Sequence, residues 1–96
     1  MLTSKNRAKL KSIANTIDTI LQVGKGGVSS TLITQVDDAL EAREIIKLSV
    51  LETCPEPAKE IAVQLAESTN SQVVQVIGRK VVLYRANSKK PVIVLD

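Results

Sequence analysis

The residues of this 96-residue chain that are best suited to chemistry form a glycine-rich segment, Gly24-Lys25-Gly26-Gly27. Glycine allows a positive φ and lets a ligand approach the backbone closely, because it has no Cβ. A helix is predicted to begin just after the segment, and its free N–H groups and dipole favour an anion beside the charge of Lys25. The segment is therefore typical of a phosphate-binding loop. The alternative is an ordinary glycine-containing connection between a strand and a helix.

The spacing of the glycines distinguishes between the known classes of phosphate-binding loop. A mononucleotide loop needs GxxxxGK[ST] and a dinucleotide loop needs GxGxxG, and the segment matches neither pattern. It matches GxxG with an internal basic residue, with which KH domains clamp a nucleic-acid backbone, although KH domains place this loop between two helices. The spacing therefore favours a nucleic-acid backbone over a nucleotide.

The composition excludes most catalytic chemistry. The chain has no histidine, which removes Ser/His/Asp and Cys/His arrangements and HExxH zinc sites. Cys54 is the only cysteine, so the chain can form neither an internal disulfide nor a cysteine-based metal site. Tyr84 is the only aromatic residue, and we expect it to pack in the core rather than stack on a base. We therefore expect no enzyme activity, no cofactor and no metal.

Charge is segregated along the chain, although the net charge is only +3. Residues 1–36 and residues 68–96 each hold five basic residues against one acid, whereas residues 37–67 hold eight acids against three basic residues. This pattern predicts one face that binds an anionic partner and another that rejects it, with two solvated faces as the alternative. The basic residues expected to flank the glycine loop are Lys5, Arg7, Lys9, Lys11, Arg79, Lys80 and Arg85.

Hydrophobic periodicity predicts the elements that position these residues. Helices are expected at residues 4–16, 28–44 and 57–68, and strands at residues 19–23, 45–51, 71–77 and 80–85. Strand-helix-strand units imply parallel strands, and the turn at Gly78-Arg79 implies an antiparallel hairpin. We predict a single α/β domain over residues 1–96, an N-terminal helix followed by βαβαββ, with a mixed four-stranded sheet packed with three helices. Its strand order stays open, and residues 92–95 are expected to extend the sheet or lie along its edge.

Membrane and secretory signals are missing from the sequence pattern. No apolar run approaches the roughly 20 residues of a membrane span, and no apolar core follows the basic start. We expect a cytoplasmic protein with no membrane partner, and the alternative is that the basic start is an organellar transit peptide.

Three blocks resemble the CRM domain in its bacterial single-domain, YhbY-type form. They are the GxxG loop at Gly24 to Gly27, the segment ALEAREIIKLSV and the hairpin IGRKVVLYR at Ile77 to Arg85. The resemblance implies an α/β fold similar to the C-terminal domain of translation initiation factor 3, with the glycine loop on an RNA backbone. For the stand-alone bacterial form it also implies association with large-subunit precursors in ribosome assembly. The chain departs from the family pattern at Arg43, where histidine is expected, and at Gly26, where a polar residue is common.

The sequence thus predicts a monomeric, non-catalytic protein that binds structured ribosomal RNA of the large-subunit precursor and has no DNA partner. Gly27→Asp is expected to damage RNA binding and leave the fold nearly intact. The alternative function is a protein-interaction module, in which Val63, surrounded by Glu56, Glu60 and Glu67 on the third helix, docks on a basic ribosomal protein.

Overall fold

Residues 2–93 and 95 are described by a computed structural model, and within them three helices and four strands follow the order that the periodicity predicts. Helix α2 begins two residues later than expected, because the Ser29 hydroxyl oxygen accepts the Leu32 N–H at 3.1 Å and caps the helix. None of the described helices is long and apolar enough to cross a membrane. The elements are α1 (Ser4–Ala14), β1 (Thr19–Val23), α2 (Ser30–Arg43), β2 (Ile45–Val50), α3 (Ala58–Thr69), β3 (Gln72–Ile77) and β4 (Lys80–Tyr84).

The described strands form a mixed sheet in the order β1-β2-β4-β3. β1 is parallel to β2, and β4 is antiparallel to both β2 and β3. Because β4 lies between β2 and β3, the Gly78-Arg79 turn reaches the carboxyl ends of β1 and β2. The Val50 N–H donates to the Arg79 carbonyl oxygen at 2.7 Å, and the Leu51 N–H donates to the Val23 carbonyl oxygen at 2.8 Å. We call this end of the sheet, where the glycine loop also lies, the loop end.

The sheet buries an apolar layer on each face, which confirms the predicted fold class. α2 and α3 cover one face with side chains such as Leu40 and Leu65, and α1 covers part of the other with Leu10. Tyr84 is 7% exposed in this second layer, so it packs in the core as predicted. We call the second face the α1 face. Alternation along β2 directs Ile46, Leu48 and Val50 toward α2 and α3, and Ile45 toward α1.

A β-bulge interrupts β3 where α1 meets it. The register between β3 and β4 shifts between Val73 and Gln75, so Val74 is the extra residue of the bulge. Nη1 of Arg7 donates to the carbonyl oxygens of Val73 at 2.6 Å and of Val74 at 2.9 Å. Because a bulge leaves backbone groups outside the ladder, these two bonds satisfy its carbonyl groups and attach α1 to the edge strand.

The carboxylate of Glu44, at the end of α2, holds the segment that follows β4. It is 2% exposed, and it accepts the N–H groups of Asn87 at 2.8 Å, Val92 at 2.9 Å and Ile93 at 2.6 Å. Burial by itself raises the pKa of Glu44, but the three backbone donors outweigh burial and hold the pKa below its ordinary value of 4.5. The same contacts hold Glu44 at a φ of +65°, a region that disfavours residues with a Cβ.

Of residues 92–95, the three that the structure describes, Val92, Ile93 and Leu95, do not extend the sheet, contrary to one of the two expectations. Val92 is 78% exposed and lies outside any strand, while Ile93 and Leu95 pack beside the α1 layer. Val94 lies outside the described residues. Bonds to a buried carboxylate, rather than strand pairing, therefore position this segment.

Replacing Glu44 by glutamine tests this attachment. A hydrogen bond to a charged group contributes about 1.5–3 kcal/mol, and we expect Glu44→Gln to lower the free energy of unfolding at neutral pH by about 2 kcal/mol. Because the pKa of Glu44 is lowered in the folded protein, its contribution is present above pH 4.5 and is lost as the pH falls through the folded pKa. Urea unfolding of both proteins at neutral and acidic pH measures the effect.

Glu67→Gln, at an exposed position of α3, is the matched control and should change the stability little at either pH. If the difference in free energy of unfolding between wild type and Glu44→Gln is the same at neutral and acidic pH, the carboxylate does not stabilise the segment as described.

Candidate nucleic-acid interface

The Gly24–Gly27 loop forms a tight turn between β1 and α2. The Gly27 N–H donates to the Gly24 carbonyl oxygen at 3.0 Å, and Gly27 has a φ of +61°, which favours glycine. Lys25 and Gly26 are exposed at the tip, and a Cβ on Gly26 would meet no atom within 4 Å. The tip is therefore open to a ligand from solvent.

The amino-terminal end of α2 follows the loop directly. Only Val28 separates Gly27 from the capping residue Ser29, so the positive end of the helix dipole lies beside the turn. An anion at the tip would meet this dipole together with the ammonium group of Lys25. The local geometry therefore suits a phosphate group.

Two glutamates also lie at the loop end, which the charge pattern did not predict. A Cβ on Gly27 would lie 3.8 Å from Glu56 Oε1, so this carboxylate packs close to the loop. Glu56 accepts a hydrogen bond from Gln64 Nε2 at 2.5 Å, and Glu52 forms an ion pair with Arg79 at 3.6 Å. The expected separation of acidic and basic faces is wrong for Glu52 and Glu56, because residues 51–57 stay at the loop end after β2.

A groove of about 320 Å³ lies between residues 52–58 and the β3–β4 turn. Its lining includes Glu52, Glu56 and Arg79. The two carboxylates make this groove unfavourable for a phosphate, since like charges repel in a partly enclosed space. An anionic ligand on the loop would be directed away from it.

Three of the predicted basic residues lie at the loop end. Lys25 is at the tip of the loop and Arg79 is exposed in the β3–β4 turn. Lys80 begins β4 at the loop end, but its Nζ donates to Thr19 Oγ1 at 3.2 Å, at the start of β1 and away from the loop. Because β2 lies between β4 and β1, the Lys80 side chain crosses β2 on the α1 face.

The structure does not bring the two other predicted arginines to the loop. Arg85 follows β4 at the opposite end of the sheet, where Nη1 donates to Asp37 Oδ1 at 2.6 Å and to the Thr69 carbonyl oxygen at 2.7 Å. Arg7 is bonded to the β3 bulge. Because both guanidinium groups have internal partners, we leave Arg7 and Arg85 out of the candidate interface.

The predicted lysines of α1 are spread along the helix. The Leu2 N–H donates to Gln72 Oε1 at 3.0 Å, so the chain enters α1 at the end of the sheet opposite the loop. Lys5 and Lys9 are exposed in the first turns, whereas Lys11 lies in the last turn. Of these three lysines, Lys11 lies nearest the loop end.

Lys47 is a cationic residue within the acidic middle segment of the sequence, residues 37–67. It is half-buried on β2, opposite Thr19 of β1 and Val82 of β4. Its neighbours Ile46 and Leu48 are buried on the other face of the sheet. That alternation was the available signal, because a strand with one lysine between two core residues must present the lysine on the other face.

Comparisons with known proteins identify a family that this chain resembles along most of its length. A family model described as the CRS1 / YhbY (CRM) domain matches residues 2–85. The chain is 46% identical over 89 residues to the probable RNA-binding protein YqeI of Bacillus subtilis, covering 93% of both chains. It is 27% identical over 88 residues to an RNA-binding protein of Haemophilus influenzae, covering 92% of this chain and 89% of that one.

A solved structure matches the fold. The solution structure of a hypothetical protein from Staphylococcus aureus is 49% identical in sequence and superimposes with a TM-score of 0.78. The match covers 94% of this chain and 93% of that one. The arrangement of three helices on a mixed sheet is thus shared with a relative.

The two glycines in the second half of the loop are predicted to tolerate aspartate differently. Gly27→Asp places a side chain at a φ of +61° and a second carboxylate near Glu56. We expect its free energy of unfolding to fall by about 1 kcal/mol and that of Gly26→Asp to change by less than about 0.5 kcal/mol. Urea unfolding measures both, and equal stabilities would contradict the turn geometry. Gly26→Asp is therefore a cleaner probe of binding than Gly27→Asp.

Proposed function

This chain belongs to the CRS1 / YhbY (CRM) domain family, and we propose that it binds RNA through the Gly24–Gly27 loop. The observation that carries the proposal is the exposed Lys25-Gly26 tip beside the amino terminus of α2. The relative from Bacillus subtilis is named a probable RNA-binding protein and that from Haemophilus influenzae an RNA-binding protein, which supports RNA as the ligand. The loop would hold a backbone phosphate, which the dipole and the ammonium group attract together.

Arg79 would supply a second contact to the same RNA. Its ion pair with Glu52 joins two side chains that are 57% and 84% exposed. Exposed pairs contribute about 0–1 kcal/mol, so Arg79 could turn out of the groove to a phosphate on its solvent side at little cost. The loop follows β1 and the turn precedes β4, two strand spacings away, or about 10 Å. One RNA segment could therefore contact both.

The RNA we propose is structured ribosomal RNA of the large-subunit precursor, bound during assembly by a single-domain, monomeric and non-catalytic protein. The family resemblance supports this choice. Contacts to the backbone position a protein on RNA but carry little sequence information. Specificity would then come from the shape of the RNA, as in other proteins that bind its backbone.

RNA binding by wild type, Lys25→Gln and Gly26→Asp tests the loop. For wild type on a ribosomal RNA fragment we expect a log–log salt slope on the order of −3 to −6. Gly26→Asp should weaken binding by roughly tenfold or more, because it removes a charge-assisted contact and repels the phosphate. Lys25→Gln should weaken binding less and make the salt slope shallower. Titrations from low to physiological salt, with an unrelated duplex alongside, measure these quantities.

The matched control is Lys90→Gln, which removes one exposed lysine from the segment that Glu44 holds at the end of the sheet opposite the loop and should change the affinity little. If the wild type binds RNA and folded Gly26→Asp binds equally well, the loop is not the contact.

Failure of the wild type to bind RNA even at low salt would favour the alternative, docking of α3 on a basic protein. Its supporting observation is Val63, which is 43% exposed near the exposed Glu60 and Glu67.

A further inference from the structure

The α1 face of the sheet is only partly covered by α1. Of the residues of this face that α1 buries, Ile45, Val74 and Tyr84 lie toward the end opposite the loop, and Val82 lies in the middle of β4, opposite Lys47. Nearer the loop end the same face presents Lys47 and Ser49 of β2 and Lys80 of β4, which are exposed or half-buried. This part of the face is therefore polar, cationic and accessible.

The β-bulge in β3 determines which side chains complete this surface. Gln75 lies opposite Val82 and Ile77 lies opposite Lys80, so both belong to the α1 face. Without the bulge, strict alternation from Val74 would have placed Gln75 and Ile77 on the face that α2 and α3 cover. The bulge thus brings an amide and an apolar side chain that is 60% exposed to the cationic surface.

A hollow of about 110 Å³ lies between this surface and the end of α1. We call it the sheet hollow. Ala14, Val82 and Ile77 give it apolar walls, and Asn15 and Gln75 add two amide side chains. It is smaller than the roughly 300 Å³ of a typical ligand pocket. Its size therefore suits one planar group rather than a whole nucleotide.

The charges around the sheet hollow are of one sign. Lys47 and Lys80 line it and are diagonal neighbours on adjacent strands. Within the described chain neither ammonium group pairs with a carboxylate, and Lys80 is bonded to the neutral hydroxyl of Thr19. Like charges on neighbouring strands are unfavourable without a counter-charge. The pair is therefore suited to an external anion.

The two amide side chains are also available. Asn15 and Gln75 make no side-chain hydrogen bond to any residue that the structure describes. An amide offers both a donor and an acceptor, which is what the edge of a nucleobase requires. The apolar walls and the two amides therefore match a nucleobase. The two lysines beside them match the phosphate of the same nucleotide.

We propose that the sheet hollow takes the base of one unpaired nucleotide of the bound RNA, between Asn15 and Gln75, while the phosphate of that nucleotide stays outside the hollow, beside the ammonium groups of Lys47 and Lys80. This inference rests on the proposed function. Glu52 and Glu56 disfavour a path through the neighbouring groove, so RNA leaving the glycine loop would cross β2 on the α1 face. Lys80 spans β2 on that face, and its ammonium group lies beside Thr19, which is level with Lys47 at the start of β1. A fully paired helix keeps its bases stacked and would not fill the hollow.

The first test compares Lys47→Gln with Lys59→Gln, each of which removes one lysine, on short single-stranded oligouridylate. We expect Lys47→Gln to weaken binding about fivefold and to make the salt slope shallower by about 0.7. Lys59→Gln, on the opposite side of the sheet, should match the wild type. Urea unfolding of both variants establishes that each is folded.

The second test follows the side-chain amide signals of Asn15 and Gln75 by NMR. We expect both signals to shift on addition of oligouridylate and to stay in place on addition of a fully paired RNA duplex. Gln75→Ala should weaken binding to oligouridylate and leave binding to the duplex unchanged, because the duplex supplies no base to the hollow.

The outcomes separate this inference from the proposed function. If Gly26→Asp loses affinity while Lys47→Gln behaves as Lys59→Gln, the loop binds RNA and the sheet hollow does not. NMR shifts confined to residues 24–27 would overturn the hollow in the same way. If the wild type binds neither oligouridylate nor a ribosomal RNA fragment, both proposals are wrong.

Discussion

The insertion of β4 between β2 and β3 is the constraint on which the whole interface depends. It brings the β3–β4 turn beside the carboxyl end of β2, through the bond from the Val50 N–H to the Arg79 carbonyl oxygen. If β3 were paired with β2 instead, Lys80 would begin about one strand spacing, or about 5 Å, further from β1. Its ammonium group could not then reach Thr19 across β2. Backbone pairing, rather than contacts between the basic side chains, thus assembles the cationic surface.

Local patterns in the sequence predicted the parts of this molecule that depend on neighbouring residues. The seven elements, the hairpin turn at Gly78-Arg79 and the turn at Gly24–Gly27 all follow from periodicity or from glycine. The strand order could not be predicted, because the same elements could pair in several orders. The β3 bulge was missed for a similar reason: the run from Gln72 to Ile77 shows no glycine or proline at which the alternation would break. The face occupied by Gln75 therefore depended on a pairing that only the fold shows.

The distribution of basic residues along the sequence did not show which of them are accessible to an RNA. The guanidinium groups of Arg7 and Arg85 bond to backbone carbonyl oxygens at 2.6–2.9 Å, and Arg85 also bonds to Asp37. A guanidinium group has five donors in a rigid fork and can join several acceptors of different elements at once. A lysine ammonium group is a compact charge on a flexible stem, as Lys25 and Lys47 illustrate. In this chain two arginines therefore connect secondary-structure elements, while lysines supply much of the accessible positive charge.

The carboxylates beside the glycine loop restrict the directions in which a bound RNA backbone can leave it. A purely cationic edge would attract a phosphate backbone from every side and would not orient it, since such attraction carries no sequence or shape information. Glu56 lies behind Gly27, and Glu52 lies beside Arg79, so both oppose a phosphate in the groove between residues 52–58 and the β3–β4 turn. On the α1 face, Lys47 and Lys80 form no ion pair with any carboxylate that the structure describes. Repulsion on one side and attraction on the other would therefore restrict an RNA segment held at the loop to a single path across β2.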